Sequence, residues 1–316
     1  MVGAAVLVVL TAGCGSAAGK DPVRSSGPPS AAASPPKSVQ ASATPAATAR
    51  KAAAPRVPLG VYAPGAAGSW TEVTKFAGQV GQPLRYLEYY LGPDDPFPAK
   101  LAEQADASGI ELVLQLYPTM SMTDVTAGDD DAYLDSFAAQ VADFGAPVIV
   151  SWAAEANGNW YEYGATRTPA ADYRAAWAHV MSRFHGATNV TWMDTLNRVY
   201  DGAGVTSDYV VPGVQLYGID AYYNNVGDTF DSVFGETLRQ IRAVSDKPIL
   251  VAETGIGQLN DQASDIPGLV QGVQANHLAG IIYFNENQGT TNPYHQNWAL
   301  TPAGLRALRD SLVRAR

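Results

Sequence analysis

Pro147-Val148-Ile149-Val150-Ser151-Trp152-Ala153-Ala154-Glu155-Ala156-Asn157-Gly158-Asn159-Trp160-Tyr161 governs the reading of this chain. It begins as an unbroken apolar run of strand length, the pattern of a strand covered on both faces in a parallel sheet. It then meets a carboxylate, an Asn-Gly pair that turns the chain, and two large aromatics. Roughly a hundred residues later, Lys247-Pro248-Ile249-Leu250-Val251-Ala252-Glu253-Thr254-Gly255 repeats the order of apolar run, glutamate and glycine. Glu155 and Glu253, each just past an apolar strand, can face each other across one pocket. Paired carboxylates flanked by aromatics are the groups that cleavage of a glycosidic bond needs.

Outward from this stretch, apolar runs of strand length alternate with helical patterns eight times. The predicted strands are Leu59 to Ala63, Arg85 to Leu91, Glu111 to Tyr117, Pro147 to Trp152, Asn189 to Asp194, Gln215 to Asp220, Pro248 to Ala252 and Gly280 to Phe284. Between them, Thr168-Pro169 opens a helix. Behind it Tyr173, Trp177, Val180, Met181 and Phe184 fall on one helical face. Phe230, Phe234, Leu238 and Ile241 mark a second such face, and Leu305, Leu308 and Leu312 a third behind Thr301-Pro302. Eight units in about 260 residues predict an α/β fold, a single closed (β/α)8 TIM barrel over residues 58–316. Catalytic groups in such a barrel stand at the C-terminal ends of strands, where Glu155 and Glu253 are expected.

The N-terminal part differs in texture. An apolar run from Met1 to Leu10 is followed by Thr11-Ala12-Gly13-Cys14, which reads as a lipoprotein signal segment, residues 1–14, cut before an acylated Cys14. The run is too short to span a bilayer. Residues 15–57 are nearly all Ala, Pro, Ser, Thr, Gly and Lys, with nothing to bury, and read as a disordered linker. An extracellular, lipid-anchored or secreted monomer is expected, touching the membrane only through its lipid.

Composition narrows the partners. The formal net charge is −10, which argues against nucleic acid or anionic lipid and suits a neutral polysaccharide. Cys14 is the one cysteine, so no disulfide or cysteine-based metal site forms within the chain. No Gly-x-Gly-x-x-Gly opens the first helix, no phosphate-binding Gly-Lys-Ser/Thr occurs, and the barrel region has no Gly-x-Ser-x-Gly elbow. Asp129-Asp130-Asp131 lacks the alternation of a calcium loop and reads as a helix start. The four histidines have no zinc spacing. No cofactor and no metal are expected.

Three segments in order resemble glycoside hydrolase family 26, the β-mannanase-like clan A barrels. Glu155-x-Asn157-Gly158-x-Trp160-Tyr161 with Gly164 is similar to the acid/base segment. Tyr217-Gly218-Ile219-Asp220-Ala221-Tyr222 is similar to the strand-six segment, and Lys247-Pro248-Ile249-x-x-x-Glu253-Thr254-Gly255 to the nucleophile segment. Ile282-Tyr283-Phe284-Asn285-Glu286-Asn287 and Trp298 fit the eighth strand and its loop. The resemblance covers nearly all of the barrel region from Leu59-Gly60-Val61-Tyr62. It implies retaining, endo-acting cleavage of a β-linked polysaccharide with Glu155 as acid/base and Glu253 as nucleophile. β-1,4-Mannan leads among the substrates, with β-glucan and β-1,3-xylan behind it. One departure is Ala154, where the family usually carries histidine; it bears on sugar specificity and favours the rival reading, a non-catalytic glycan binder on a hydrolase scaffold.

The further candidates carry alternatives. Trp160 is a sugar-binding wall or packing under the loop. Asn157 is a sugar contact or only the turn former. Tyr222, or its neighbour Tyr223, hydrogen-bonds Glu253. Asp220 is read as a structural partner more than a proton carrier. Tyr62, Asn285 and Trp298 are expected as subsite residues.

Overall fold

A computed structural model describes residues 57–289 and 296–314. The signal segment, Cys14 and the linker lie outside them except for Val57, which packs in the core. The chain runs β1 (Leu59–Tyr62), α1 (Thr71–Val80), β2 (Tyr86–Leu91), α2 (Ala99–Ala107), β3 (Glu111–Leu116), α3 (Met122–Ala127), α4 (Asp131–Phe144) and β4 (Val148–Trp152). It continues through α5 (Ala170–Arg183), β5 (Val190–Asn197), α6 (Thr206–Tyr209), β6 (Leu216–Asp220), α7 (Glu236–Val244), β7 (Ile249–Thr254), α8 (Gln262–Ala275), β8 (Ile281–Phe284) and α9 (Pro302–Arg314). The strands pair in chain order, all parallel, and β8 closes on β1. The TIM barrel expected from the apolar rhythm is the fold observed.

The strands read as continuous apolar runs because both of their faces are buried. Outward residues such as Val61, Leu87, Leu114, Val150 and Val251 join the large core shared with the helices. Inward residues Tyr86, Val113, Ile149, Met193, Leu216, Leu250, Ala252 and Ile282 form a separate apolar floor inside the barrel. Strand side chains alternate faces, so the next inward positions are Glu88, Gln115, Ser151 and Thr195, a buried polar layer. Ser151 and Thr195 share a 2.8 Å hydroxyl contact there. Gly218 belongs to this level; a Cβ on it would stand 2.6 Å from Thr195 Oγ1 and 2.9 Å from Ala252 Cβ. The barrel mouth above this layer carries the site.

Helix expectations hold with two shifts. Tyr173, Trp177 and Val180 are the buried face of α5, but Pro169 itself occupies the cap position, without a side-chain cap bond. Phe230 and Phe234 stack at 4.9 Å in a wider π-helical turn, Asp231–Gly235, that leads into α7. Asp131 opens α4 and pairs with His179 at 2.6 Å and Arg183 at 3.4 Å, so the acidic triplet is a helix start tied to α5.

Candidate active site

Glu155 is presented by a left-handed turn just after β4. Ala153 and Glu155 hold positive φ angles of 49° and 60°, a left-handed conformation that costs non-glycine residues on the order of 1 kcal/mol or more. The main chain is pinned there: Glu155 N–H donates to Thr195 O at 2.7 Å, and Gly158 N–H donates to Glu155 O at 2.8 Å. The side chain receives Asn197 Nδ2 on Oε1 and Trp160 Nε1, at 3.0 Å, on Oε2. Glu155 is only 4% exposed. Burial first, and the charge of Glu253 second, push its pKa up to about 8; the Asn197 and Trp160 hydrogen bonds oppose the rise.

Glu253 arrives by a different device. The sequence put it just past the seventh strand, whereas it lies inside β7. Pairing runs Ile219 with Val251 and then Asp220 with Glu253 on one side, and Val251 with Ile281 and then Thr254 with Tyr283 on the other. Both neighbours therefore see one extra residue in β7, a bulge, and bulges re-aim side chains. Val251 faces the helices and Ala252 the barrel; the bulge lets Glu253 face the barrel as well. Its Oε1 accepts the Tyr90 hydroxyl and its Oε2 the Tyr222 hydroxyl, each at 2.5 Å. Burial raises its pKa, and these two donors oppose the rise.

The other sequence candidates fall at different depths. Tyr222 packs on Trp298 at 4.5 Å while it bonds Glu253, and its rival Tyr223 makes no hydroxyl hydrogen bond. Tyr62 is half-buried, stacked on Phe284 at 4.6 Å and edge-on to Tyr90 at 4.9 Å. Trp160 is half-buried and stacks on Tyr200 at 5.6 Å. Asn285 commits its side-chain oxygen to Leu300 N–H at 2.8 Å, and its own N–H to Tyr62 O.

Two expected sugar contacts are corrected. Asn157 is wholly buried. Its Nδ2 donates to Asn197 O at 2.8 Å and to Thr206 Oγ1 at 3.3 Å, and its Oδ1 accepts Asn197 N–H at 2.8 Å. Its side-chain nitrogen and oxygen are both used in tying the β4 loop to β5 and α6, an anchoring role that neither alternative, sugar contact or turn former, had named. Trp298 is buried, with its indole N–H given to Gln288; it backs Tyr222 and has no open face for a ring.

Three functional residues escaped the sequence reading. Asn197 did because β5 runs three residues past its predicted end. Tyr90 and Glu88 did because an apolar strand reading overlooks alternation; a carboxylate two positions before a tyrosine in Tyr86-Leu87-Glu88-Tyr89-Tyr90 was the available signal. Tyr90 also faces Tyr117 at 6.0 Å, and Tyr117 faces Tyr161 at 5.3 Å, so aromatic rings line one side of the mouth. Asp220 is fully buried, and neither carboxyl oxygen makes a full hydrogen bond; the Glu253 N–H offers only a weak contact. Burial and then the charges of Glu253, Glu155 and Glu88 hold its pKa well above the usual range. Among the described residues, no three His, Cys, Asp or Glu side chains converge to hold a metal ion.

The barrel superposes on a Bacteroides ovatus family 26 β-mannanase with a TM-score of 0.61, at 18% identity, over 82% of this chain and 87% of that one. The fold shared with it is the closed (β/α)8 barrel. The catalytic domain of a family 26 endo-β-1,4-mannanase from Bacillus sp. JAMB-750 matches with a TM-score of 0.60, at 16% identity, over 81% of this chain and 85% of that one. In sequence, Endoglucanase H of Acetivibrio thermocellus is 26% identical over 212 residues, which is 60% of this chain and 23% of the relative. The chain thus spans less than a quarter of that relative's length. No protein-family model matches the chain.

Proposed function

We propose that this barrel is a retaining, endo-acting glycoside hydrolase that cleaves a β-linked polysaccharide, with β-1,4-mannan as the leading substrate. The supporting observation is a difference between two buried carboxyls: burial and the charge of Glu253 both raise Glu155, whereas burial alone raises Glu253 and two phenols oppose it. Glu155 is pushed up to about 8 and so carries its proton near neutrality. Glu253 receives two phenol hydrogens that favour its ionised form. Environments that drive two carboxyls apart in this way assign one as acid and the other as nucleophile.

In the first step, Glu155 protonates the departing glycosidic oxygen while Glu253 Oε attacks the anomeric carbon, giving a glycosyl ester. In the second, Glu155, now ionised, takes a proton from water, and that water's oxygen displaces Glu253. Double displacement calls for carboxyls about 5–5.5 Å apart, a spacing at which one charge raises the other's pKa. Half-buried Trp160, Tyr200, Tyr62, Tyr117 and Tyr161 supply ring faces for sugars. The mannan assignment draws on the mannanases that share this fold, and Endoglucanase H makes β-glucan the next candidate. Export as a lipoprotein acylated at Cys14 belongs to the same reading and draws on the sequence alone.

Reducing-sugar release from mannan, β-glucan and xylan, compared between wild type and Glu253→Ala, tests the proposal. Release that Glu253→Ala reduces by about 10³-fold or more is expected. Binding without release from any of them would identify a glycan-binding protein instead.

A further inference from the structure

Of the two inward side chains of β2, Tyr90 already holds Glu253 in the chemistry above, and Glu88, which has no part in it, contacts Tyr90. Glu88 is fully buried in the polar layer. Its Oε1 accepts Gln115 Nε2 at 3.1 Å, and its Oε2 lies 3.0 Å from the Tyr90 hydroxyl. The same hydroxyl lies 2.5 Å from Glu253 Oε1. A phenol has one hydrogen. The 2.5 Å contact has the length of an O–H donated to a carboxylate, so it takes that hydrogen. The 3.0 Å contact is then oxygen against oxygen, and it lacks a hydrogen unless Glu88 provides one.

We propose that Glu88 is a positioning residue that acts as a neutral carboxylic acid, donating its proton to Tyr90 Oη and thereby committing the Tyr90 hydrogen to Glu253. The chain of donors runs Gln115 to Glu88 to Tyr90 to Glu253, and each link polarises the next. No covalent bond is made or broken in it. The result is a nucleophile gripped on both oxygens, by Tyr90 on one side and Tyr222 on the other.

The surroundings agree from every side. Glu88 bonds Gln115 of β3 and interacts electrostatically with Tyr62 of β1, Glu155 beyond β4, Asp220 of β6, Tyr222 after it and Glu253 of β7. The ionisable members of this set are all acids. Burial first, then the charge of Glu253, favour a protonated Glu88, while the Gln115 amide on Oε1 opposes that only in part. An ionised Glu88 would place a second negative charge on the far side of the same phenol.

The role assigned to Glu88 rests on Glu253 being the nucleophile; its protonation can be measured without any activity. Glu88→Gln retains a donor for Tyr90 and an acceptor for Gln115, whereas Glu88→Met has neither. The expected results are as follows. At neutral pH the infrared difference between wild type and Glu88→Gln shows the loss of a protonated carboxyl C=O stretch. Glu88→Met lowers kcat by about tenfold or more with KM nearly unchanged, and Glu88→Gln recovers most of that loss. The acidic limb of the pH–rate profile does not move in Glu88→Gln. If the limb falls by about a unit, as removal of a neighbouring charge requires, or if no carboxyl band is lost, Glu88 is ionised and the proposal is wrong. Equal rates for Glu88→Met and Glu88→Gln would remove the positioning role. Should the barrel cleave no glycan, the infrared result alone decides the proton on Glu88, separately from the enzymatic reading.

Discussion

Glu253 and Glu155 titrate in environments that single side chains adjust, and the sign of each adjustment can be worked out. Tyr90 and Tyr222 each donate a 2.5 Å hydrogen bond to Glu253. Such bonds stabilise the ionised form, so removing one raises the Glu253 pKa. In the proposed mechanism Glu253 attacks in its ionised form, so Tyr90→Phe and Tyr222→Phe are each expected to shift the acidic limb of kcat/KM to higher pH and to reduce the rate by roughly 10–10²-fold. A limb unmoved in both variants contradicts the donor role. For Glu155 the logic inverts, because the acid proposed for the first step must be protonated. Activity is expected to decline as pH rises through about 8. The Trp160 indole N–H stabilises the ionised form of Glu155, so Trp160→Phe moves that alkaline limb upward, and Glu155→Gln abolishes it while sparing substrates with good leaving groups in the first step. A downward shift in Trp160→Phe runs against the hydrogen bond as assigned.

At the scale of an element, the loop between β4 and α5 owes its shape to one buried amide. Asn157 fastens it to β5 and α6 through three hydrogen bonds, and Asn197, held by Asn157, in turn holds Glu155. Asn157→Ala leaves several buried polar groups without partners, each costing about 1–3 kcal/mol. A drop of about 3 kcal/mol or more in denaturant-derived stability is expected, together with a lower kcat, because Asn197 loses its register. A stable variant with wild-type kcat would show that the loop is fixed by its other ties, such as the Tyr163 hydroxyl on Ala154 O at 3.1 Å.

The molecule as a whole is set against high pH by its own interior. Glu88, Glu155, Asp194 and Asp220 are all buried with pKa values above the ordinary range, chiefly through burial; Asp194 reaches about 7 and Glu155 about 8. In the unfolded chain they titrate near 4. Between about pH 4 and these raised values the folded state binds more protons than the unfolded one, so stability falls as pH rises and levels off above the folded pKa. The melting temperature is therefore expected to be higher at about pH 5 than at about pH 8. Asp220→Asn, which cannot ionise and gives up no full hydrogen bond, should flatten that slope and stabilise the alkaline end. A slope unchanged in Asp220→Asn would mean that Asp220 is not among the groups responsible.

Legibility followed the range of the interactions involved. The barrel could be read from sequence because burial of both strand faces writes long apolar runs into the chain, and eight such runs at βα spacing admit few other closures. Glu155 and Glu253 stood out for the same local reason, as charges interrupting apolar runs before a glycine. Tyr90, Glu88 and Asn197 did not, since their importance lies in contacts with residues about 27 to 163 positions away. Asn157, left open between sugar contact and turn former, and Trp298, expected at a subsite, are both buried, because residue type signals a capacity for contact and burial decides which contacts are made. The amino-acid sequence by itself determined the fold and the two carboxylates. Only the tertiary structure, through a one-residue bulge in β7 and a left-handed turn after β4, decided that both point into the same mouth and which side chains hold them, because side-chain direction depends on register and backbone angles that no local pattern records.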